Sequence, residues 1–150
     1  MNVVAIGIDI VETARVAAAL DRFGDRFRRR LFLGPEIDYC RSMPRPELHY
    51  AARFAAKEAV AKAFGTGIGP ELGWRDIEIG REPNGRPVVQ LSEKARHLAG
   101  RLGIDHVEVS LSHTDAYAAA QAVALGPGLP PRCVGGTRPG ATATRGVSER

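Results

Sequence analysis

Large and small side chains alternate along residues 3–10, at the start of the chain. The even positions carry Val or Ile, whereas the odd positions run from smaller residues to Asp9. A period of two is typical of a β-strand, and the pattern predicts one whose bulky face packs on the core. Asp9 then lies near the end of the strand, on the face that Gly7 leaves open, where a carboxylate has room for a ligand. Capping of the next helix is the alternative role for Asp9.

A helical period follows from Glu12 to about Leu33. Apolar residues recur there every three or four positions, and Gly24 is expected to divide the stretch into two helices. Beside the apolar stripe lies a row of arginines, at Arg15, Arg22, Arg26 and Arg29. Such a row suits an acidic protein partner, although a solvated face that pairs with the intervening aspartates is the alternative.

The longest predicted helix lies between Pro46 and Gly65, where the chain has no internal proline or glycine and is rich in alanine. Such a segment favours a helix of four or more turns. One narrow stripe of this helix carries only methyl side chains, at Ala52, Ala56, Ala59 and Ala63. Because no large side chain holds a neighbour away, we expect another element to pack very close to this stripe.

The same helix carries charges on its other faces. Glu58 and Lys62 stand one turn apart, and so do Arg53 and Lys57. An ordinary surface ion pair, worth a few tenths of a kcal/mol, is one interpretation. However, the helix runs directly into the glycine loop at residues 65–69, whose backbone can approach a ligand closely. Cations beside such a loop favour an anion site.

The middle of the chain predicts shorter elements. Residues 34–46 form a connector with a helical patch at about 36–43. Strands are predicted at 76–79 and 87–91, joined around the turn pair Asn84-Gly85, which is a strong hairpin signal.

Three further elements close the predicted domain. Ser92 is expected to cap a helix that runs to about Leu102 and ends at Gly103. Residues 106–113 alternate again and predict a central strand that ends in His113. Residues 117–125 are alanine-rich, and propensity alone allows either helix or strand.

Composition bounds the organisation of the 150 residues, of which 44% are hydrophobic. From Gly126 onward, large apolar residues are nearly absent, so this part cannot offset its ordering entropy. We expect one folded domain over residues 1–126 and a disordered tail over 127–150.

Net charge and cysteine content limit the possible partners and location. The formal charge is +4, but 127–150 holds four basic residues and one acidic residue, so the predicted domain is nearly neutral and nucleic-acid binding is disfavoured. Cys40 and Cys133 lack metal-ligand spacing, which suggests a reducing cytoplasm. No apolar run approaches the roughly 18 residues of a membrane span, and no signal-peptide pattern opens the chain. We expect a soluble, unexported protein that binds no membrane.

Candidate chemistry rests on two carboxylates, Asp9 at the end of a strand and Glu58 in the long helix. Cations stand beside Glu58, and a glycine loop follows. Carboxylate oxygens are the ligands that Mg²⁺ prefers, and cations neutralise phosphates. The residues therefore suggest Mg²⁺ that holds a diphosphate.

Four segments carry a resemblance to a known family. They are Gly7-Ile8-Asp9-Ile10, the run from Arg53 to Ala59, the run from Phe64 to Gly69 and the run from Ser110 to Thr114. In this order, and over about residues 3–125, the chain resembles the holo-[acyl-carrier-protein] synthases, the small 4′-phosphopantetheinyl transferases. The resemblance implies an α+β fold in which an antiparallel sheet packs with a long central helix, and it favours a strand at 117–125.

The family resemblance also implies a reaction. The 4′-phosphopantetheine arm of coenzyme A would pass to a serine of an apo acyl carrier protein, with Mg²⁺, and 3′,5′-ADP would leave. Such transfer needs positioning and charge neutralisation more than covalent help from the protein. Asp9 and Glu58 match the family's metal-ligand positions, and Lys62 would neutralise the diphosphate. The proton of the serine would pass to Glu58 or to a water on the metal.

Further substrate contacts follow from the resemblance alone. The residues expected at coenzyme A are Arg53, Lys57, Lys62, Gly65, Asn84, Gly85, Arg86, His113 and Thr114. A histidine that ends an apolar strand face is more often packed in the core, but the resemblance favours a ligand contact for His113.

Contacts with proteins follow in the same way. Arg15 matches the arginine that the family presents to the acidic helix of the carrier, followed by Arg22 and Arg26. Small members of the family are typically trimers with active sites at subunit interfaces, and strands 107–111 and 117–125 are expected to supply the contact. The alternative from another class is a non-catalytic domain that binds a nucleotide or an anion.

Overall fold

The computed structural model describes residues 1–127. The elements in chain order are β1 (Asn2–Glu12), α1 (Thr13–Phe23), α2 (Asp25–Leu31), α3 (Gly34–Arg41), α4 (Pro46–Ala63), a short 3₁₀ helix (Trp74–Asp76), β2 (Ile77–Arg81), β3 (Pro87–Leu91), α5 (Glu93–Arg101), β4 (His106–His113) and β5 (Tyr117–Gly126). This content confirms the α+β prediction. Apart from Pro127, the predicted tail lies outside the described residues.

All strand pairs are antiparallel. β5 lies between β1 and β4 in a three-stranded sheet, and β2 pairs with β3 in a second sheet of two strands. Residues 117–125 are therefore a strand, as the resemblance favours. The prediction that 106–113 is the central strand is wrong, because β5 takes that place. Alternation indicates which side chains share a face of the strand, but it does not indicate whether the strand has a neighbour on one side or on both.

The long helix α4 packs directly on β1 and β5. Its predicted alanine stripe is buried throughout, together with the inward-facing alanines of β5. Gly7 meets this stripe from β1: a β-carbon at Gly7 would lie 1.9 Å from the carbonyl oxygen of Ala59. Helix and strand therefore approach until their backbones touch, as the methyl-only stripe predicts.

The same close packing reverses the predicted orientation of β1. Ile6, Ile8 and Ile10 retain 64%, 68% and 66% of their accessible surface, whereas Gly7 on the other face is buried. The prediction that the bulky face packs on the core is wrong. An alanine stripe can approach only the small face of a strand, so the isoleucines face away from α4.

Helices α1 and α2 cover a second part of the core. Gly24 separates them at a φ of 54°, which confirms the predicted break. Val16, Leu20 and Leu31 from the predicted apolar stripe are buried with Phe32 and the free thiol of Cys40. These contacts fix both helices along the side of α4.

Predicted turns and caps occur in the remaining part. Gly85 turns the β2–β3 hairpin at a φ of 89°. Ser92 caps α5 because its hydroxyl accepts a hydrogen bond from the Ala95 amide at 3.1 Å, and Gly103 follows the helix at a φ of 68°. None of the helices among residues 1–127 combines the length and apolarity that crossing a membrane requires.

Candidate active site

A cleft of about 600 Å³ opens between β1, α1 and α4. Five charged side chains line it: Asp9 and Glu12 from β1, Arg15 from α1, and Glu58 and Lys62 from α4. We call it the carboxylate cleft. Most of its other lining residues are apolar, namely Ile10, Val11, Val16, Ala19, Phe27, Phe54 and Tyr117. A charged end therefore adjoins an apolar wall.

Lys62 pairs with Asp9 across the contact between helix and strand. Its ammonium nitrogen lies 2.8 Å from Asp9 Oδ1 and donates a second hydrogen bond to Ile8 O at 3.0 Å. The Lys62 side chain is 50% exposed and the Asp9 side chain only 16%. The carboxylate is thus held in place, while the lysine can turn toward a ligand. Within residues 1–127, the surface pair considered for Glu58 and Lys62 does not form.

Glu58 is half-buried beside this pair. No donor among residues 1–127 gives its carboxylate a hydrogen bond. Burial raises the pKa of Glu58 above its usual value, the nearby charge of Asp9 raises it further, and Lys62 partly offsets both. Two carboxylates of the cleft therefore repel each other, and Lys62 compensates only part of that repulsion. Such a pair is suited to a cation.

A second group of charges lies where α4 meets β2 and the end of β4. Two adjoining cavities of about 180 and 280 Å³ share Arg53 and Arg81 among their lining residues. His49 and His113 line the first of them, with ring centroids 5.5 Å apart. We call this group, Arg53, Arg81, His49 and His113, the cationic pocket. It shares no lining residue with the carboxylate cleft.

The two histidines differ in their surroundings. His113 is exposed, so it is not the packed core residue that the end of an apolar strand face suggests. His49 is half-buried. Burial lowers its pKa, and the positive charges of His113, Arg53 and Arg81 lower it further. The pocket thus concentrates positive charge, which favours a neutral His49 and an anionic ligand.

Lys57 does not lie at either site. Its side chain is 0% exposed and forms an ion pair at 2.8 Å with Glu36, which is equally buried. The ammonium also donates to Leu31 O at 2.7 Å and to Trp74 O at 3.0 Å. Because all three of its hydrogens are taken, we correct the expectation that Lys57 meets a coenzyme A phosphate. Lys57 instead joins α4 to α2, α3 and the 3₁₀ helix.

Most other predicted substrate contacts form turns. Thr114 closes the β4–β5 turn with hydrogen bonds to Tyr117, and Asn84 accepts from the amide of Arg86 inside the hairpin. Arg86 pairs with Glu108 at 2.6 Å. Gly65 follows the end of α4 at a φ of 74°. None of these four, Gly65, Asn84, Arg86 and Thr114, lines the carboxylate cleft or the cationic pocket of the described chain, whereas Gly85 lines the pocket.

Three residues around the cationic pocket are missing from the sequence predictions: Tyr39, His49 and Arg81. His49 stands four positions before Arg53, so the helical period already places both on one face of α4. Tyr39 and Arg81 belong to α3 and β2, and no local spacing relates them to Arg53. Their proximity is a product of the fold.

Similarity to known proteins covers most of the chain. The family model described as the 4′-phosphopantetheinyl transferase superfamily matches residues 5–122. A holo-[acyl-carrier-protein] synthase of Koribacter versatilis is 46% identical over 121 residues, which cover 81% of this chain and 97% of that protein. A protein of the same name from Moorella thermoacetica is 50% identical over 117 residues, which cover 78% of this chain and 90% of that protein.

Solved structures give the same result. The holo-[acyl-carrier-protein] synthase of Neisseria meningitidis matches with a TM-score of 0.77 at 33% identity, over 83% of this chain and 99% of that one. The Helicobacter pylori synthase, solved in complex with coenzyme A, matches with a TM-score of 0.72 at 35% identity, over 80% of this chain and 99% of that one. The similarity therefore extends over nearly the whole of each solved chain.

Proposed function

The chain belongs to the 4′-phosphopantetheinyl transferase superfamily, among the holo-[acyl-carrier-protein] synthases, and on this premise we propose that it transfers the 4′-phosphopantetheine arm of coenzyme A to a serine of an apo acyl carrier protein. The observation that carries the proposal is the single cleft in which Asp9, Glu58 and Lys62 meet. In this reaction the serine oxygen forms a new bond to phosphorus, the bond between the two phosphates breaks, and 3′,5′-ADP leaves.

Asp9 and Glu58 are proposed as the protein's ligands for Mg²⁺. Their side chains fit the ion: both are oxygen donors in one cleft, their negative charges interact, and the Glu58 carboxylate has no hydrogen-bond donor among residues 1–127. Within that range no third His, Cys, Asp or Glu side chain joins a cluster with them, so substrate and water oxygens would complete the set. When bound, Mg²⁺ would neutralise charge on the diphosphate.

The chain's own groups would supply positioning, charge and a proton acceptor. Lys62 is half exposed and can move its ammonium from Asp9 to the diphosphate. Its charge would stabilise the oxygens that become more negative as the phosphorus–oxygen bond breaks. Glu58 is the chain's candidate acceptor for the serine proton, because no donor among residues 1–127 gives its carboxylate a hydrogen bond.

The nucleotide end of coenzyme A is proposed to lie in the cationic pocket. Arg53, His113 and Gly85 line this pocket together, and the excess of positive charge suits the phosphates. Thr114, Asn84, Arg86 and Gly65 stay candidates on the family resemblance alone.

An acidic carrier is proposed to dock at the mouth of the carboxylate cleft. Arg15 lines the cleft and is exposed, and Arg22 and Arg26 are exposed on α1 and α2. Phe27 and Phe54 supply apolar surface in the same cleft. A carrier held there would bring its serine close to Lys62. The carrier would belong to fatty-acid or polyketide synthesis, in the cytoplasm that the isolated cysteines suggest.

A homotrimer is the proposed assembly. The exposed isoleucines of β1 form an apolar row on the open face of the three-stranded sheet, next to Val123 and Gln121 of β5. This row supports a subunit contact centred on β1, with β5 beside it. Because the carboxylate cleft and the cationic pocket share no residue, the cleft of one subunit and the pocket of another are proposed to form each complete site.

A non-catalytic domain that binds nucleotides or anions is the alternative. Such a domain has no use for two interacting carboxylates beside its cations, which favours the transferase. The test is incubation of the protein with coenzyme A, MgCl₂ and an apo carrier, followed by mass spectrometry of the carrier. A gain equal to the phosphopantetheine group is expected, whereas an unmodified carrier together with bound coenzyme A would support the alternative.

A further inference from the structure

The ring of Tyr39 contacts both guanidinium groups of the cationic pocket. The Arg53 guanidinium carbon lies 4.1 Å from the ring centroid, and that of Arg81 lies 5.1 Å from it. Arg81 also donates a hydrogen bond to the Tyr39 hydroxyl. His49 packs edge-on against the ring with centroids 5.6 Å apart. One side chain of α3 therefore touches three of the four residues that define the pocket.

Arg53 and Arg81 have no carboxylate partner within ion-pair distance among residues 1–127. Arg53 is only 5% exposed, and its Nε has no hydrogen-bond acceptor in the same part of the chain. A buried cation without a counter-ion is unfavourable. The positive charges of Arg53 and Arg81 also repel each other. Attraction to the negative face of an aromatic ring offsets part of that energy, and this attraction does not itself require any of the guanidinium hydrogens.

We propose that Tyr39 is a positioning residue, whose ring holds Arg53 and Arg81 side by side so that both bind the phosphate groups of the nucleotide. This inference rests on the function proposed above, because it takes the nucleotide of coenzyme A as the occupant of the cationic pocket. Tyr39 itself makes no contact with reacting atoms. Its effect passes through the two arginines.

The two arginines depend on the ring to different degrees. Arg53 belongs to helix α4 and is buried, so its neighbours already restrict the conformation of its side chain. Arg81 is exposed at the end of β2, and within residues 1–127 its guanidinium forms a hydrogen bond only with the Tyr39 hydroxyl. Without the ring, Arg81 would turn into solvent, and the pocket would lose its second guanidinium.

The test compares variants by titration calorimetry with 3′,5′-ADP, a probe that lacks the pantetheine arm. Tyr39→Met removes the ring and keeps much of its volume, whereas Tyr39→Phe keeps the ring and removes the hydroxyl. We expect about tenfold weaker binding for Tyr39→Met and less than about threefold for Tyr39→Phe. In steady-state assays, the KM for coenzyme A should rise in Tyr39→Met, and the KM for the carrier should not.

A double-mutant cycle separates positioning from a general structural effect. If Tyr39 acts through Arg81, then Tyr39→Met should weaken 3′,5′-ADP much less when Arg81→Met is already present. Equal losses in both backgrounds would overturn the proposal, and so would wild-type affinity in Tyr39→Met. Should Tyr39→Met fail to fold, Tyr39→Leu serves the same comparison. A wild-type protein that neither binds 3′,5′-ADP nor modifies a carrier would instead refute the proposed function itself.

Discussion

Gly7 of β1 lies so close to Ala59 of α4 that a β-carbon at Gly7 would stand 1.9 Å from the Ala59 carbonyl oxygen. Asp9 lies two residues after Gly7 on the strand. Ala63, which directly follows Lys62, lies one helical turn after Ala59, and its backbone nitrogen would stand 2.7 Å from the same β-carbon. The contact therefore sets the distance between the strand carboxylate and the helix charges. It places Asp9 2.8 Å from the ammonium of Lys62.

Substitution of Gly7 tests this packing. Gly7→Ala forces β1 and α4 apart, because the atoms that block its methyl are backbone atoms, which cannot turn aside. We expect a loss of about 3 kcal/mol or more in the free energy of unfolding, measured in urea. Gly100→Ala is the control, since nothing lies within 4 Å of that β-carbon and alanine favours the helix by up to about 1 kcal/mol. Equal stability of Gly7→Ala and wild type would refute the close contact.

The buried pair of Lys57 and Glu36 makes a second prediction. Lys57→Met leaves the Glu36 carboxylate buried without its cation, and we expect a loss of about 3–5 kcal/mol in the free energy of unfolding. Lys62→Met is the matched control, because the partly exposed Lys62–Asp9 pair is worth about 1 kcal/mol or less. Denaturant titrations of both variants provide the comparison. A smaller loss for Lys57→Met than for Lys62→Met would contradict the assignment of Lys57 to the core.

The sequence predicted the secondary structure well because its signals are local. The break at Gly24, the hairpin turn at Gly85 and the serine cap of α5 depend on neighbours within a few residues. The orientation of β1 is different. Alternation defines two faces without saying which one is buried, although the match between Gly7 and the alanine stripe of α4 would have given the answer.

In the site too, local signals could be predicted from the sequence and contacts between distant segments could not. Asp9, Glu58 and Lys62 could be chosen from residue type and family motifs, but their partners could not. From the sequence alone, Lys57 is interpreted as a surface cation, because Glu36, the carboxylate that neutralises it, belongs to another helix. Helical spacing favours an ion pair between Glu58 and Lys62. Lys62 pairs with Asp9 instead, because the strand lies against the helix backbone. Contacts between distant segments decide such pairs.

The exposed isoleucines of β1 predict the oligomeric state. Ile8→Glu places a charge in the middle of the apolar row, and we expect it to convert the proposed trimer into smaller species, measured by light scattering after gel filtration. Arg101→Glu adds the same side chain on exposed α5 and should leave the mass unchanged. An unchanged mass for Ile8→Glu would move the proposed contact away from β1.

Arg15 predicts a selective effect on the carrier. Arg15→Glu reverses the charge at the wall of the carboxylate cleft, so an acidic carrier should bind less well. We expect the KM for the carrier to rise about tenfold or more, while the KM for coenzyme A stays near the wild-type value. Steady-state assays with each substrate varied in turn measure both. A rise confined to coenzyme A would assign Arg15 to the other substrate.

The central claim is that Asp9 and Glu58 hold the metal ion for phosphopantetheine transfer, and Glu58→Gln tests it most directly. Carrier modification is followed by mass spectrometry with coenzyme A, in MgCl₂ and after chelation. We expect wild type to be active only with Mg²⁺ and Glu58→Gln to be slower by about 100-fold or more. Glu47→Gln, at the start of α4, changes a side chain that is 30% exposed and lines neither the carboxylate cleft nor the cationic pocket, so it should match wild type. Folded Glu58→Gln with the wild-type rate would contradict the account.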